Sequence, residues 1–186
     1  MNGPPAEVKG AALLGLLSEA KTLPGGIASL LELIPAGVRT TYFASSIVHG
    51  KWYSYEALAA LLDAYSKIPG HSGEAGFREL GVRMSERDFT TLLKIYAMVA
   101  TPTRLADAPR QIWLQRFRNA GVATSEPGDH SFRFGIAGFP GIHPMQCQIL
   151  TGYGGAVGRR RTATFTTVHD RCVHRGDRDC SWNSTW

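Results

Sequence analysis

The hydrophobic period of this chain changes at Gly121. Before it, apolar residues recur every three or four positions. After it, short stretches alternate with a period of two, interrupted by one further helical stretch. Helices first, then strands with one inserted helix, is the signature of an α+β fold with an antiparallel sheet. At 186 residues the chain is long enough for one domain with its own core and too short for two. The expected organisation is a flexible N-terminus over 1–7 and a single domain over 8–186. That domain is helical over 8–120 and carries a sheet with an inserted helix over 121–186.

Punctuation sets the predicted elements. Val8 to Thr22 is apolar-periodic and closes at Pro24-Gly25-Gly26. Ile27 to Ile34 ends at Pro35-Ala36-Gly37. Ser54 is placed to cap a helix over Glu56 to Ile68, with Leu58, Leu61, Leu62 and Tyr65 on one face. Glu74 to Ala100 reads as the longest helix, with a break expected near Ser85. Pro109 suits the first turn of a helix over Gln111 to Asn119. Val122 to Glu126 and Ser131 to Ile136 then read as strands around the turn Pro127-Gly128-Asp129. His143 to Val157 is the inserted helix. Its glycines, Gly152, Gly154 and Gly155, suit close packing on a neighbour better than a phosphate loop. Thr162 to Val173 is β-rich, Arg175-Gly176-Asp177 turns the chain, and Asp179 to Thr185 returns as a strand.

Charge is unevenly placed. Residues 1–100 carry nine basic and nine acidic side chains; residues 101–186 carry eleven arginines, no lysine and six acids, and so hold all of the net +5. Internal Arg–Asp pairing with a solvated basic face is one reading of this, and contact with an acidic partner is the other. No recognition-helix pattern accompanies Arg159-Arg160-Arg161, so nucleic acid is not an expected partner. The apolar run Ala11 to Leu17 is too short to span a bilayer. The lack of an export signal and the odd number of cysteines point to the cytoplasm.

All three cysteines, Cys147, Cys172 and Cys180, fall in the last 40 residues. A hairpin brings Cys172 and Cys180 together, and His169 stands three residues before Cys172. Three thiolates and an imidazole are a tetrahedral zinc set. Asp170 and His174 are rivals for the fourth position. Buried free cysteines, or a Cys172–Cys180 disulfide, explain the same spacing. His143 lies four residues before Cys147 on one helix face, as a base and a thiol nucleophile would. No Gly-x-Ser-x-Gly or His-Glu-x-x-His motif is present, and no catalytic set stands out.

The tail Cys172-Val-His-Arg-Gly-Asp-Arg-Asp-Cys180-Ser-Trp182 and the helix Cys147-Gln-Ile-Leu-Thr-Gly152 resemble the end of the 4-vinyl reductase domain superfamily. Over roughly residues 8–184 the chain also resembles a myxobacteria-restricted family, through Trp52-Tyr53-Ser54-Tyr55-Glu56, Arg78-Glu79-Leu80-Gly81 and the same tail. The resemblance implies a helical layer on an antiparallel sheet, often dimerised through N-terminal helices. It also implies structural zinc at the positions of Cys147, Cys172 and Cys180. In the aromatic-effector sensors of that superfamily the fourth ligand is acidic; here that position holds His169. Nitric oxide sensors built on heme are similar in layout.

A sensor of this kind has an apolar pocket between its layers. Trp52, Tyr96, Trp113, Phe117, Phe132 and Phe134 are the candidate lining, although the same stripes would equally fill a solid core. The expected function is therefore a cytoplasmic small-molecule sensor or regulatory domain. It would bind a small apolar or aromatic ligand, carry structural zinc and form a homodimer. The alternative is an assembly module similar to the vesicle-tethering subunits, binding a protein partner and no small ligand.

Overall fold

A computed structural model describes residues 4–88 and 102–186 of the molecule. Strand β1 (Glu7–Lys9) lies at the centre of a small antiparallel sheet, between β2 (Trp52–Ser54) and β3 (Phe117–Arg118). Val8 is fully buried and sits opposite both Tyr53 and Phe117. The segment expected to be flexible over 1–7 is thus held at its end. The Tyr55 amide donates to the Ala6 carbonyl at 2.9 Å, and Glu7 pairs with Ser54. Strands of two or three residues are too short to show an alternating pattern, so nothing in the residue order announces this sheet.

Four helices follow from the first half: α1 (Gly10–Ala20), α2 (Gly26–Glu32), α3 (Ala36–Phe43) and α4 (Tyr55–Ser66). Ser54 caps α4 as expected, its Oγ accepting from the Glu56 amide at 3.2 Å. Helix α3 buries no residue and so carries no apolar stripe to read. In α5 (Gly73–Asp88), Phe77, Leu80, Gly81 and Met84 form the predicted buried stripe. Its expected continuation through Phe89, Leu92 and Tyr96 lies outside the described residues.

Helix α6 (Pro102–Arg116) begins seven residues before Pro109, which lies inside it rather than in its first turn. Phe117, expected on that helix, belongs to β3. Among the described residues, no helix is long and apolar enough to cross a membrane.

The second half is α+β as expected. Strands β4 (Val122–Gly128), β5 (Ser131–Ala137), β6 (Thr166–Arg171) and β7 (Asp179–Thr185) form an antiparallel sheet in the order β4-β5-β7-β6, and α7 (Pro144–Arg159) packs across it. The β4–β5 turn falls at Asp129-His130, with His130 in the left-handed region at φ 51°. Pro127 is therefore a strand residue, opposite Phe132. The β6–β7 pairing slips at Asp170, so that His169 faces Trp182 while Arg171 faces Ser181.

Helix α7 lies between α5 and the sheet, and two glycines set how closely. A Cβ on Gly152 would stand 1.9 Å from the Arg78 carbonyl oxygen, and one on Gly81 2.2 Å from that of Ile149. The two backbones touch at points where any side chain would collide. Alanine normally gains up to about 1 kcal/mol over glycine inside a helix. Here the sign reverses, and we expect Gly152→Ala to lower stability by about 2 kcal/mol through overpacking, read by urea denaturation. An unchanged or raised midpoint would contradict the close approach.

Candidate functional site

The period of two along β7 puts Cys180, Trp182 and Ser184 on the face that looks at α7. All three are at most 2% exposed. Helix α7 starts at His143, whose Nδ1 accepts from the Met145 amide at 3.2 Å, with Pro144 in the first turn. This start places Cys147 directly over β7. The Cys147 and Cys180 sulfurs lie 3.8 Å apart, and those of Cys180 and Cys172 lie 4.0 Å apart. Together with a ring nitrogen of His169, the donor atoms all fall within 4.8 Å of one another. All three cysteines are free, so the Cys172–Cys180 disulfide is not formed.

The rivals for the fourth position are engaged elsewhere. Asp170 takes Arg133 at 2.6 Å and the Ser181 hydroxyl at 2.7 Å, and His174 Nε2 meets the Ile142 carbonyl at 2.6 Å. The Nε2 atom of His169, by contrast, is buried with no hydrogen-bond partner. An unpaired polar atom in such a place is costly unless something satisfies it. The sulfur separations match the edge of about 3.8 Å in a tetrahedron of metal–sulfur bonds near 2.3 Å.

The thiols also perturb one another. The Cys147 thiol, pointing at Cys180 from a buried position, is held well above the ordinary thiol range. Cys180 is pushed down to about 4, first by that thiol and further by the His169 imidazole, against the effect of burial. The His143 ring is occupied as the α7 cap and against Asp63 at 3.1 Å, which leaves Cys147 facing the sulfurs and no base–nucleophile pair.

Beside the cluster, between the helices and the sheet, lies a cavity of about 130 Å³. Trp113, Phe117, Phe132 and Phe134 line it, in the company of Leu16, Leu58 and Trp182. Trp52 does not. It lies on β2 under the Arg118 guanidinium, 4.6 Å from its ring centre, and Lys9 at 5.5 Å. Aromatic stripes mark burial without saying which side of the core they face, so the sequence could not separate Trp52 from the others. Tyr96 lies outside the described residues.

Trp182 belongs to both sites. Its ring sits in a cross-strand row between Phe134, with centroids 5.5 Å apart, and His169, at 4.9 Å and nearly parallel. Its Nε1–H donates to the Thr151 hydroxyl at 3.0 Å and towards the Cys147 carbonyl at 3.3 Å. Residue order alone assigns Trp182 no role beyond the tail motif, because only the register of three strands reveals the row. Gln146, also in the cavity wall, escapes a sequence reading altogether, since a helical glutamine ordinarily faces solvent.

The α6 edge of the cavity is held by charge. Asp88 receives Arg116 at 2.7 Å and Arg87 at 2.9 Å, and Arg87 also reaches the Gly15 carbonyl at 2.7 Å. Burial alone would raise the Asp88 carboxyl, but Arg116 and Arg87 outweigh it and hold the group below the usual carboxylate range. A depressed acid contributes its stability above the unfolded value of about 4 and loses it as pH falls through the folded value. We expect Asp88→Asn to cost about 2 kcal/mol at pH 7. The gap to the parent should close in denaturation curves taken below about pH 4. A pH-independent gap would refute this account.

A scan of protein-family models finds no match to this chain, and neither does a search of curated proteins. Solved structures do match in fold. An H-NOX protein from S. oneidensis in the Fe(II)NO ligation state superposes with a TM-score of 0.64 at 12% identity, covering 95% of this chain and 97% of that one. An unliganded Fe(II) H-NOX protein from K. algicida, carrying a point mutation, gives 0.63 at 14%, covering 95% of each. An H-NOX structure solved to probe the function of heme distortion gives 0.61 at 9%, covering 96% and 94%.

At these identities the likeness is one of fold alone, and it agrees with the expected helical layer on an antiparallel sheet. Neither the 4-vinyl reductase nor the myxobacterial assignment gains a match. The expectation of zinc as the cofactor is overturned, since the group carried by these neighbours is heme.

Proposed function

We propose that this chain is a small-molecule sensor or regulatory domain whose ligand occupies the cavity between the helical layer and the sheet. The observation that supports this best is the shared residue, Trp182. A ligand in the cavity touches the indole, and the indole is bonded to α7 and stacked on His169. Filling the cavity would therefore be felt at the cluster. No observation favours the alternative of a solidly packed assembly module.

The heme of the fold neighbours does not fit the residues present. Heme iron needs an axial imidazole, thiolate, thioether or phenolate. None of the six histidines and none of the three cysteines lines the cavity, and residues 89–101 contain neither type. Tyr153 lines it, but burial raises its phenol and keeps it neutral. The Met84 thioether is the remaining donor in the described wall. A space of about 130 Å³ is close to the roughly 150 Å³ that holds a single benzene ring, far short of a four-pyrrole macrocycle.

The reading also gives Cys147, His169, Cys172 and Cys180 a role as ligands of a thiophilic metal ion that fastens the β6–β7 hairpin to α7. Such binding energy is folding energy. Cobalt(II) added to metal-stripped protein should bind one to one and develop thiolate-to-cobalt absorption. Cys180→Ser and His169→Ala should each abolish or strongly weaken that band. An undiminished band in both variants would remove these residues from the role.

For the cavity, ethylbenzene should raise the melting temperature and shift the Trp182 indole resonance. Leu16→Phe, which grows into the space, should lose both effects. Failure of every apolar probe tried to bind the parent protein would sink the sensor reading.

A further inference from the structure

We infer that the cavity takes a neutral molecule of about one aromatic ring carrying a single hydrogen-bonding group, and that Gln146 receives that group. This rests on the sensor reading above and names the class of its ligand.

The polar members of the wall account for themselves with one exception. Thr167 and Ser184 share a hydrogen bond at 3.0 Å. Arg116 is spent on Asp88 at 2.7 Å. Tyr153 stands beside the same carboxylate, which together with burial raises its phenol. Gln146 is only 6% exposed, and its side-chain amide hydrogen-bonds no described residue. Its neighbour on the same helix, Gln148, is equally buried and is satisfied by Arg78 at 2.7 Å. Among the described residues the fully buried side-chain atoms without a partner are His169 Nε2 and Asp179 Oδ1, so the Gln146 amide keeps access to the cavity space, where a ligand group can take the place of water.

An amide offers one acceptor oxygen and two N–H donors, so it suits a neutral hydroxyl, carbonyl or amide. It does not favour a carboxylate over these, because no unpaired cation lines the described wall to balance a negative charge. The rest of the lining is aliphatic and aromatic, including Leu16, Leu58, Phe132, Phe134 and Trp182. The ligand is thus an apolar ring with one polar point. The cavity volume limits it to about one ring. A porphyrin fails on size, on the missing imidazole, and on its two carboxylates, which would find only an arginine already paired.

Benzyl alcohol and ethylbenzene test the inference, since they match in shape and differ by a hydroxyl in place of a methyl. Affinities would be measured by NMR titration for the parent and for Gln146→Leu, with hemin titrated in parallel and followed by its Soret band. Gln146→Leu should weaken benzyl alcohol relative to ethylbenzene by about fivefold, the size of one hydrogen bond. Retained ethylbenzene binding shows that the variant is folded with its cavity intact. If that variant does not fold, Gln146→Met serves in its place with the same expected ratio.

Hemin should give no stoichiometric, saturable Soret shift. An unchanged ratio with both probes bound would overturn the role of Gln146. Stoichiometric hemin binding would overturn the ligand class while leaving a sensor domain standing. Absence of binding by all three compounds would instead count against the sensor reading itself.

Discussion

The contact between α5 and α7 fixes everything that lies beneath it. Gly81 and Gly152 let two backbones meet where a single methyl group would fall about 2 Å from a carbonyl oxygen. Gly158 does the same against the Phe165 ring, which a Cβ would meet at 2.0 Å. With α7 pressed to this depth, Cys147 reaches the sulfurs of the hairpin and Gln146 is drawn into the cavity wall. Small residues here set the position of the chemistry, and the chemistry itself comes from their neighbours on the same helix.

The two sites are built by different rules, although Trp182 joins them. The cluster concentrates donors: three sulfurs and an imidazole within 4.8 Å, with one buried nitrogen unsatisfied. The cavity wall is mostly aliphatic and aromatic, and Gln146 is the polar side chain in it that hydrogen-bonds no described residue. Separation along α7 is a single residue, Gln146 to Cys147. About 100° of helical rotation therefore divides a donor-rich face from an apolar one. The cross-strand row of Phe134, Trp182 and His169 carries contact between them across three strands.

Much of this was legible from residue types that are rare and costly to bury. Cys147, Cys172, Cys180 and His169 stand out in any reading, and hairpin spacing already suggests that they meet. The change of period at Gly121 likewise separates helices from the larger sheet, and Ser54 marks the start of α4. What stayed hidden depended on register and on short elements. The sheet of β1, β2 and β3 has too few residues to show alternation, and it moves Trp52 away from the pocket and Phe117 out of a helix. Pro109 looked like a helix start because a first-turn proline loses no hydrogen bond, yet α6 tolerates it inside. Gln146 looked like any surface glutamine, since nothing local tells a helix which of its polar residues will face a void.

A shared fold with heme proteins does not transfer their cofactor, because a fold specifies where a cavity lies and not what lines it. The H-NOX neighbours superpose over nearly the whole length of this chain at 9–14% identity. What this chain puts between helical layer and sheet is the cavity lined by Trp113, Phe117, Phe132, Phe134 and Trp182. Iron requires a strong axial donor within that space, and this chain has placed all of its imidazoles and thiols elsewhere: capping a helix, gathered at the sulfur cluster, or outside the cavity wall. An apolar cavity with no axial donor can discriminate only by shape and by hydrogen bonds. In such a cavity one amide is enough to separate an alcohol from the hydrocarbon of the same shape.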